Sequence, residues 1–593
     1  MGGQFCSRIH NFSSMVRAMS LDNTKADNNE SSRKYVLAID LGSGGPKAAV
    51  VSDTGEVVAS AAEKAATYLL PHGGAEQSPE EWWTGAMTAA RKAVKDSGVS
   101  PGSIEAVSCD SQWSVVVPID EQGRPLMNAV HWLDTRGGVY NRALIRGFPS
   151  IKGYGLWKLL KWVRLTGLAP TSSGIDSIGH ILFIKNELPE IFKKTHKFLE
   201  PVDYLTMRLT GRCTASQETM IPMLLVDNRR WSSTEYHEGL IKLAGLTRDK
   251  FPELVPNKEI IGTVLPSVAE ELGISPSTRV IAGSNDTNAS AIGSGAVNDY
   301  EGIIYIGTSL VLTCHLPWKK TDLIHTMTTM PSPLENRYLL MAEQGTGGKA
   351  LEFYLKNLVY AGDEFETGSF PADAYERVNR IAASVPAGCG GVIFMPWLNG
   401  SIAPDENGDV RGAFFNMSLS TTRSHLTRSV MEGLAFNNRW AMEVAEKFIG
   451  RKFGKFRFAG GGALSDVWAQ IHADILGVPI HQVEDPTHTT IRGAALLAFN
   501  RLGIRGIEEF PGLIKIRKVF YPNGANRAVY DKIFHEYRQF FVRNKKIFAA
   551  LNRDRHVMPP KPPRGGLFGA SKSTSGGGHY VRTEKRNRRQ ESV

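Results

Sequence analysis

Cysteine is scarce, with five in 593 residues at positions 6, 109, 213, 314 and 389 and no C-x-x-C pair among them. That spacing excludes a disulfide framework and a structural zinc site, and it suits a reducing compartment. Long apolar runs are missing too: no window of about 20 residues is uninterruptedly apolar, so no membrane span is expected. The uncharged segment 381–400 is broken by Pro386, Pro396 and glycines, and reads as buried strand and turns. Concentrated charge is also lacking in the body of the chain. Of the net +10, residues 553–593 carry +7 and residues 1–34 carry +2, which leaves the rest at +1. A nucleic-acid-binding face would gather basic side chains on a folded surface with aromatics between them. Here they sit in a tail with PPKPPRGG and STSGGG, the composition of a disordered linker, so no specific nucleic-acid partner is expected.

What is present is 42% hydrophobic and 22% charged residues, enough apolar mass for a sizeable core. Glycine makes up about a tenth of the chain but follows no G-X-Y period, which excludes collagen. The length fits about four ordinary domains or fewer large ones. Residues 1–34 read as a disordered extension. Its first 20 residues carry Arg8, Arg17 and serines without an acid, a weak transit-peptide composition. Gly2 begins a myristoylation-like start in which Cys6 takes the place of the required Ser or Thr. The expected compartment is the cytoplasm, with organelle targeting through residues 1–20 as the alternative.

At Tyr35 the composition turns from polar to YVLAIDLGSGGPKAAVVSDTGEVVAS. Apolar runs flanking a glycine-rich turn, with Asp53, Thr54 and Gly55 punctuating the second run, predict strand, hairpin, strand, turn, strand. EEWWTGAMTAARKAV has helical spacing, while SIEAVSCD and SVVVPID read as strands. The opening pattern returns at GIIYIGTSLVLTCHLP, where Gly307 begins a Gly-Thr-Ser turn 265 positions after Gly42 begins the first. Two similar α/β lobes follow from this repeat, residues 35–297 and 298–548, with 549–593 as a disordered basic tail. A third glycine element, RFAGGGALSDVWAQIHADILGVPI, runs a strand into Gly460, Gly461 and Gly462 and a helix out of them. Leu464, Val467, Trp468, Ile471 and Ile475 mark that helix's apolar face, and Gly477 with Pro479 ends it.

Glycine hairpins with hydroxyls suit phosphate groups. A backbone without Cβ can approach the anion, and successive N–H groups form a concave nest; Ser43, Thr308 and Ser309 would add hydroxyl donors. One such turn is an ordinary hairpin, whereas two at the heads of two lobes, followed by a glycine-to-helix turn, specify much more. Asp40 ends the first strand, where a carboxylate holds Mg²⁺ through water or satisfies the N–H groups of the turn. Asp286, in VIAGSNDTNASAIGSGA, is placed equally well to take a proton from an attacking hydroxyl or to cap the helix that follows. EQGTGGKAL resembles a P-loop, but it lacks the four-residue spacer and has Ala350 where Ser or Thr is required. It reads as a turn into the helix ALEFYLKNL. His180, His315, His472 and His488 show no ligand pairing and read as ordinary polar or core histidines. Trp113, in SQWS after a strand, either packs in the core or lines a sugar site.

Ten segments together resemble the FGGY carbohydrate kinase family, most closely its xylulokinase branch. They are IDLGSGGPK (39–47), EQSPEEWW (76–83), SQWS (111–114), WLDTR (132–136), PVDYLTMRLTG (201–211), AGSNDTNAS (282–290), IGTS (306–309), MPWLNG (395–400), GGGALSD (460–466) and RGAALLA (492–498). The likeness spans about residues 35–505, in order. It implies two ribonuclease-H-like α/β lobes of the actin and hexokinase type, with ATP and sugar in the cleft between them. It further implies that Asp286 is the catalytic base and Asp40 the metal-side aspartate. Ser43 and Gly44 resemble the first phosphate turn, Gly307, Thr308 and Ser309 the second, and Gly461, Gly462 and Ser465 the turn beside the adenosine. Gln112, Trp113 and Ser114 fall where the family contacts its sugar, with Thr287 beside the base.

All of the departures but the one at Gly400, Ser401 and Ile402 lie on or near the sugar side. Xylulokinases carry Gln-Met-His-Gly where this chain has Gln112, Trp113, Ser114 and Val115, and Asp-Asn where it has Asp286 and Thr287. Gly400, Ser401 and Ile402 replace Gly-Glu-Arg, and Gly179 and His180 replace Pro-Lys. The expectation is ATP-dependent phosphorylation of a small ketose or polyol, xylulose-like first, with Mg²⁺ bridging phosphate oxygens. Two rivals stand beside it. An ATP-driven chaperone or filament protein on the same scaffold needs no base beside a sugar pocket. A sugar-sensing or weakly active homologue is favoured by the altered sugar-side residues. A homodimer is left open.

Overall fold

The computed structural model describes residues 33–363 and 370–552. The expected extension and basic tail lie outside the described residues, except at 33–34 and 549–552.

Two sheets share one plan. In the first, β1 (Tyr35–Gly42), β2 (Gly45–Ser52) and β3 (Val57–Ala62) form an antiparallel meander, and β4 (Ile104–Ser111) pairs parallel to β1. With β5 (Ile260–Thr263) and β6 (Arg279–Ile281) the order is β3-β2-β1-β4-β6-β5, β6 parallel to β4 and β5 antiparallel to β6. The second sheet holds β7 (Gly302–Ile306), β8 (Ser309–Leu316), β9 (Thr321–Asp322), β10 (Met327–Pro331), β11 (Tyr338–Thr346), β12 (Phe456–Ala459), β13 (Ile480–Val483) and β14 (Ile516–Phe520). Its order is β9-β10-β11-β8-β7-β12-β13-β14. From β11 to β14 the pairing senses repeat those from β3 to β5: antiparallel twice, parallel twice, antiparallel. The two hairpins read from the sequence thus head two copies of one α/β unit.

Among the helices, α1 (Pro79–Ser97) shows how local signals set the boundaries. The Ser78 hydroxyl accepts the Glu81 N–H, Pro79 opens the first turn, and Gly98 closes the helix at φ +65°. Its buried face, with Trp82, Ala86, Ala90 and Ala93, packs under the first sheet. Further on come α2 (Ser177–Glu187), α3 (Pro201–Thr210), α4 (Asp286–Gly293), α5 (Arg423–Ile449), α6 (Asp466–Leu476), α7 (Thr489–Arg501) and α8 (Arg527–Asn552). By chain position α7 lies between β13 and β14 of the second sheet, yet Ile491, Ala494, Ala495, Ala498 and Phe499 bury against Val36, Ala38, Val51, Ala106 and Ile281 of the first. There α7 crosses α4 at two glycines. A Cβ on Gly493 would stand 1.8 Å from the Ala289 carbonyl oxygen, and one on Gly293 1.8 Å from that of Thr489.

Some expectations change in detail. Leu464 is exposed in a 3₁₀ turn before α6, so the buried face of that helix rests on Trp468, Ile471 and Ile475. The uncharged segment 381–400 begins as the end of the helix Ala374–Ser384. The last helix reaches Asn552, four residues past the expected lobe end. His180, His315 and His472 are buried and hydrogen-bonded within the core, and His488 meets the Ser60 hydroxyl. Among the described residues no helix is long and apolar enough to cross a membrane.

Candidate active site

The two hairpin turns are shaped by close backbone approaches. β1 and β2 close with Gly42 opposite Gly45, which puts Ser43 and Gly44 at the tip. Gly45 has φ +126°, and a Cβ there would lie 2.3 Å from the Glu63 carbonyl oxygen, so only glycine fits. β7 and β8 close with Ile306 opposite Leu310 around Gly307, Thr308 and Ser309. The P-loop-like segment enters the helix Gly348–Tyr354 as expected, and it also buttresses this turn. Gly347 N–H donates to the Thr308 carbonyl at 3.0 Å and Gly348 N–H to that of Gly307 at 2.8 Å. Gly460 and Gly462 press on Ile306 at the end of β7, while Gly461 faces open space. The structure therefore brings Gly307, Thr308, Ser309, Gly461 and Gly462 together.

Three carboxylates gather at neighbouring strand ends. Asp40 on β1 is in register with Asp110 on β4, and Asp110 with Ser284, two residues before Asp286. Asp40 Oδ2 accepts Lys47 Nζ of β2 at 3.0 Å and the Thr490 hydroxyl of α7 at 2.8 Å. The Asp40 charge holds the Lys47 ammonium above the ordinary lysine range. Burial, then the charges of Asp40 and Asp286, push the Asp110 carboxyl well above the usual carboxylate range.

Asp286 opens α4 but does not cap it. The cap is Asn285, whose side chain accepts the Asn288 N–H at 2.9 Å. The capping role thus belongs to the neighbouring residue, and the Asp286 carboxylate receives the Thr287 hydroxyl at 3.2 Å. Burial, with the Asp40 charge next, raises Asp286 to about 7, the range in which a carboxylate serves as a base at neutral pH. Opposing it from the second sheet stand Glu343 of β11, raised by burial to about 8, and Tyr305 of β7, whose phenol is pushed up by burial against the opposing charge of Lys47. Groups from both lobes thus meet at Asp286.

The sugar-side residues are organised differently from expectation. The Ser43 hydroxyl donates to Gln112 Oε1 at 2.8 Å and accepts Trp132 Nε1–H at 3.0 Å. Its proton is thus committed within the protein, and the turn has its backbone N–H groups to offer an anion. Gln112 is buried behind it. Its Oε1 also meets His131 Nε2 at 3.1 Å, and its Nε2 donates to Gln77 Oε1 at 2.8 Å. Ser465 is engaged as well, capping α6 through the Trp468 N–H and donating to Asn379 Oδ1. Trp113 is half-buried between Ile221 and, from the second sheet, Val311, Met330 and Met341. Ser114 takes a left-handed φ of +59°, uncommon for a residue with a side chain, beside a Val115 N–H donated to buried Glu200 at 3.1 Å.

Lys47, Thr490, Glu343 and Asp110 were not singled out from the sequence. Asp110 alone carried a legible signal, since it nears the end of the apolar strand SIEAVSCD much as Asp40 does in YVLAID. Among the described residues no group of three or more His, Cys, Asp and Glu forms a metal cage. Mg²⁺ needs none, because one or two carboxylates with water and phosphate oxygens suffice. Asp40 fits that requirement, with buried Asp110 in register beside it.

Residues 35–293 match the N-terminal domain of the FGGY family of carbohydrate kinases, and residues 302–501 match the C-terminal domain. The xylulose kinase of Bacillus subtilis (strain 168) is 27% identical over 519 residues, covering 87% of this chain and 99% of that protein. The gluconokinase of Bacillus licheniformis is 26% identical over 475 residues, covering 79% of this chain and 88% of that protein. Among solved structures, ligand-bound xylulose kinase from Lactobacillus acidophilus matches with a TM-score of 0.75 at 23% identity, covering 87% of this chain and 100% of that one, a likeness of fold. Since both domains follow one another in order over most of its length, this chain belongs to the FGGY family of carbohydrate kinases.

Proposed function

We propose that this carbohydrate kinase transfers the γ-phosphoryl group of ATP to a hydroxyl of a small ketose or polyol, with a xylulose-like ketopentose as first choice. The observation that carries the reading is Asp286: relieved of capping by Asn285, raised to about 7, and within the charge field of Asp40 from one lobe and Glu343 from the other. Its carboxylate takes the proton of the attacking hydroxyl while a new O–P bond forms and the bond to the departing ADP breaks. The backbone N–H groups of the two turns hold the β- and γ-phosphates, and Gly461 and Gly462 lie on the adenosine side. Bound beside Asp40, Mg²⁺ would neutralise charge on the phosphate oxygens. Positioning and charge stabilisation supply most of the acceleration, because phosphoryl transfer needs little covalent help.

On the sugar side, Trp113 offers an aromatic face, and Ser114 and Thr287 offer short hydroxyls. A sugar presents one fairly apolar C–H face and a ring of hydroxyls, which such a surface suits. Gln112 supports the pocket from behind through Ser43 and Gln77.

The test is ATP turnover and product analysis with purified protein over ketopentoses, ketohexoses, polyols, glycerol and gluconate. The expected result is sugar-dependent ADP release with a phosphorylated ketopentose favoured. Preference for gluconate would overturn the substrate class. Binding without product would mark a sensor, and sugar-independent ATP turnover would mark a chaperone-like ATPase.

A further inference from the structure

The near-neutral body of the chain hides one local excess of charge. Residues 135–175 hold seven Lys and Arg and no Asp or Glu, which leaves the remainder of the body at −6. Arg136 is paired with Asp134 and Glu76. Of the other six, Arg142, Lys158 and Lys161 donate to the carbonyls of Ser172, Leu144 and Gly239 rather than to carboxylates. Within the same stretch four large apolar side chains stand in the open: Phe148 is 94% exposed and Trp157 70%, with Ile151 at 51% and Leu160 at 46%. They belong to one local unit. Ser150–Ile151 and Tyr154–Gly155 pair antiparallel around a turn at Lys152 and Gly153, both with positive φ. The second strand runs straight into the helix Leu156–Thr166. A Cβ on Gly155 would stand 2.6 Å from the Gly147 Cα, and this close approach sets Phe148 beside the start of that helix. Leu159, Trp162 and Leu165 form the buried side of the helix. Trp157, Leu160, Lys161 and Arg164, spaced i, i+3, i+4 and i+7, share the opposite, exposed side.

Apolar side chains held out among cations suit one kind of surface. An anionic bilayer takes apolar groups into its acyl boundary, accommodates tryptophan at its headgroups and attracts each nearby Lys or Arg. A second copy of the chain fits worse, because a two-fold interface would lay these cations against themselves. Nucleic acid fits worse as well, since it could meet the cations and the aromatic rings but offers Ile151 and Leu160 nothing. We propose that residues 142–164 form a surface by which this protein rests on an anionic phospholipid membrane. Phe148, Ile151, Trp157 and Leu160 enter the interface, and Arg146, Lys152, Lys161 and Arg164 meet the headgroups. The contact lies on one leaflet, and it does not depend on the kinase reading.

Tryptophan fluorescence reads this contact directly. Trp157 alone among the eleven tryptophans is exposed, and residues 553–593, with their own basic charge, contain none. The probe is vesicles of about one part phosphatidylserine to two parts acyl-brominated phosphatidylcholine, added to the full-length chain. Quenching is expected on these vesicles and not on brominated phosphatidylcholine alone. Trp157→Phe should still sediment with the anionic vesicles but lose the quenching. The pair Phe148→Ser and Ile151→Ser should lower the affinity read by quenching at least tenfold, and so should the pair Lys152→Glu and Lys161→Glu. Thermal melts establish that these variants, all at exposed positions, are folded. Sedimentation with vesicles without quenching would leave the contact to the basic tail and overturn the proposal, as would absence of vesicle binding. Trp157-dependent dimers in sedimentation velocity, or Trp157-dependent binding of single-stranded RNA, would also overturn it in a protein whose fluorescence the vesicles leave unchanged.

Discussion

Glu218 Oε1 accepts the backbone N–H of Asn285 at 3.0 Å, one residue ahead of Asp286. The same oxygen accepts the Ser284 hydroxyl at 3.0 Å and Asn288 Nδ2 at 2.7 Å. One buried acid thus ties together the strand end, the helix cap and the first turn of α4. Burial raises Glu218 to about 7. It touches no reacting atom; its work is to hold the backbone from which Asp286 projects.

Glu218→Ala should therefore strand the Asn285 N–H and leave Ser284 and Asn288 only their longer bonds to the Asn285 and Pro331 carbonyls, costing about 1–3 kcal/mol in stability. It should also lower kcat while the KM for ATP stays near its wild-type value. Glu218→Gln keeps an accepting oxygen and should restore most of both. Thermal melts and steady-state kinetics on the pair check this. Equal impairment in the two variants would mean that charge, and not the hydrogen bonds to Ser284, Asn285 and Asn288, matters at this position.

The raised Asp286 sets a pH dependence with a definite sign. The base works only when deprotonated, and its folded value is about 7. Sugar kcat/KM should accordingly be flat above that value and fall about tenfold for each pH unit below it. Asp286→Asn should cut kcat by about 10²–10⁴-fold and abolish the acidic limb. A wild-type profile flat down to about pH 5 would place the proton acceptor elsewhere.

Much of this was legible in the sequence because it is local. The hairpins at Ser43 and Thr308 announce themselves through glycine between β-branched runs, and the similarity of the lobes follows from their recurrence. Asp40 and Asp286 stand at strand ends where glycine and small residues begin. What was not legible depends on partners distant in the chain. The strand-end place of Asp110 could be read but its register with Asp40 could not, and Thr490 matters only because α7 crosses to the first sheet. Likewise, nothing in SQWS shows that Gln112 turns inward to Ser43 and Gln77 while Trp113 turns outward. The capping ambiguity at Asp286 could not be resolved from composition, since Asn285 and Asp286 are both good caps and only the backbone decides between them.

Trp113 bridges the lobes through apolar contact with Ile221 on one side and Val311, Met330 and Met341 on the other. Truncating a half-buried indole should cost about 2 kcal/mol in stability, below the range for a fully buried tryptophan. Trp113→Ala should also raise the KM for sugar more than that for ATP, because the ring stands beside Ser114 on the proposed sugar side. Kinetics over both substrates decide the matter. Equal shifts in the two constants would assign Trp113 to packing alone.

The crossing of α4 and α7 supplies a prediction whose sign runs against helix propensity. Replacing a helical glycine by alanine ordinarily stabilises by about 1 kcal/mol. At Gly493 the new methyl would stand 1.8 Å from the Ala289 carbonyl oxygen, so the helices must separate. Overpacking of that kind costs about 1–3 kcal/mol or more, which outweighs the propensity gain. Gly493→Ala should therefore lower Tm. Gly512→Ala, in the helix Phe510–Leu513 with nothing within 4 Å of the added carbon, should raise it slightly. The consequence reaches the pocket, because α4 carries Asp286 and α7 carries the Thr490 hydroxyl bonded to Asp40. Loss of kcat in Gly493→Ala should exceed what its folded fraction explains. Activity that tracks folded fraction alone would show that the two helices can move apart without disturbing the carboxylates they support.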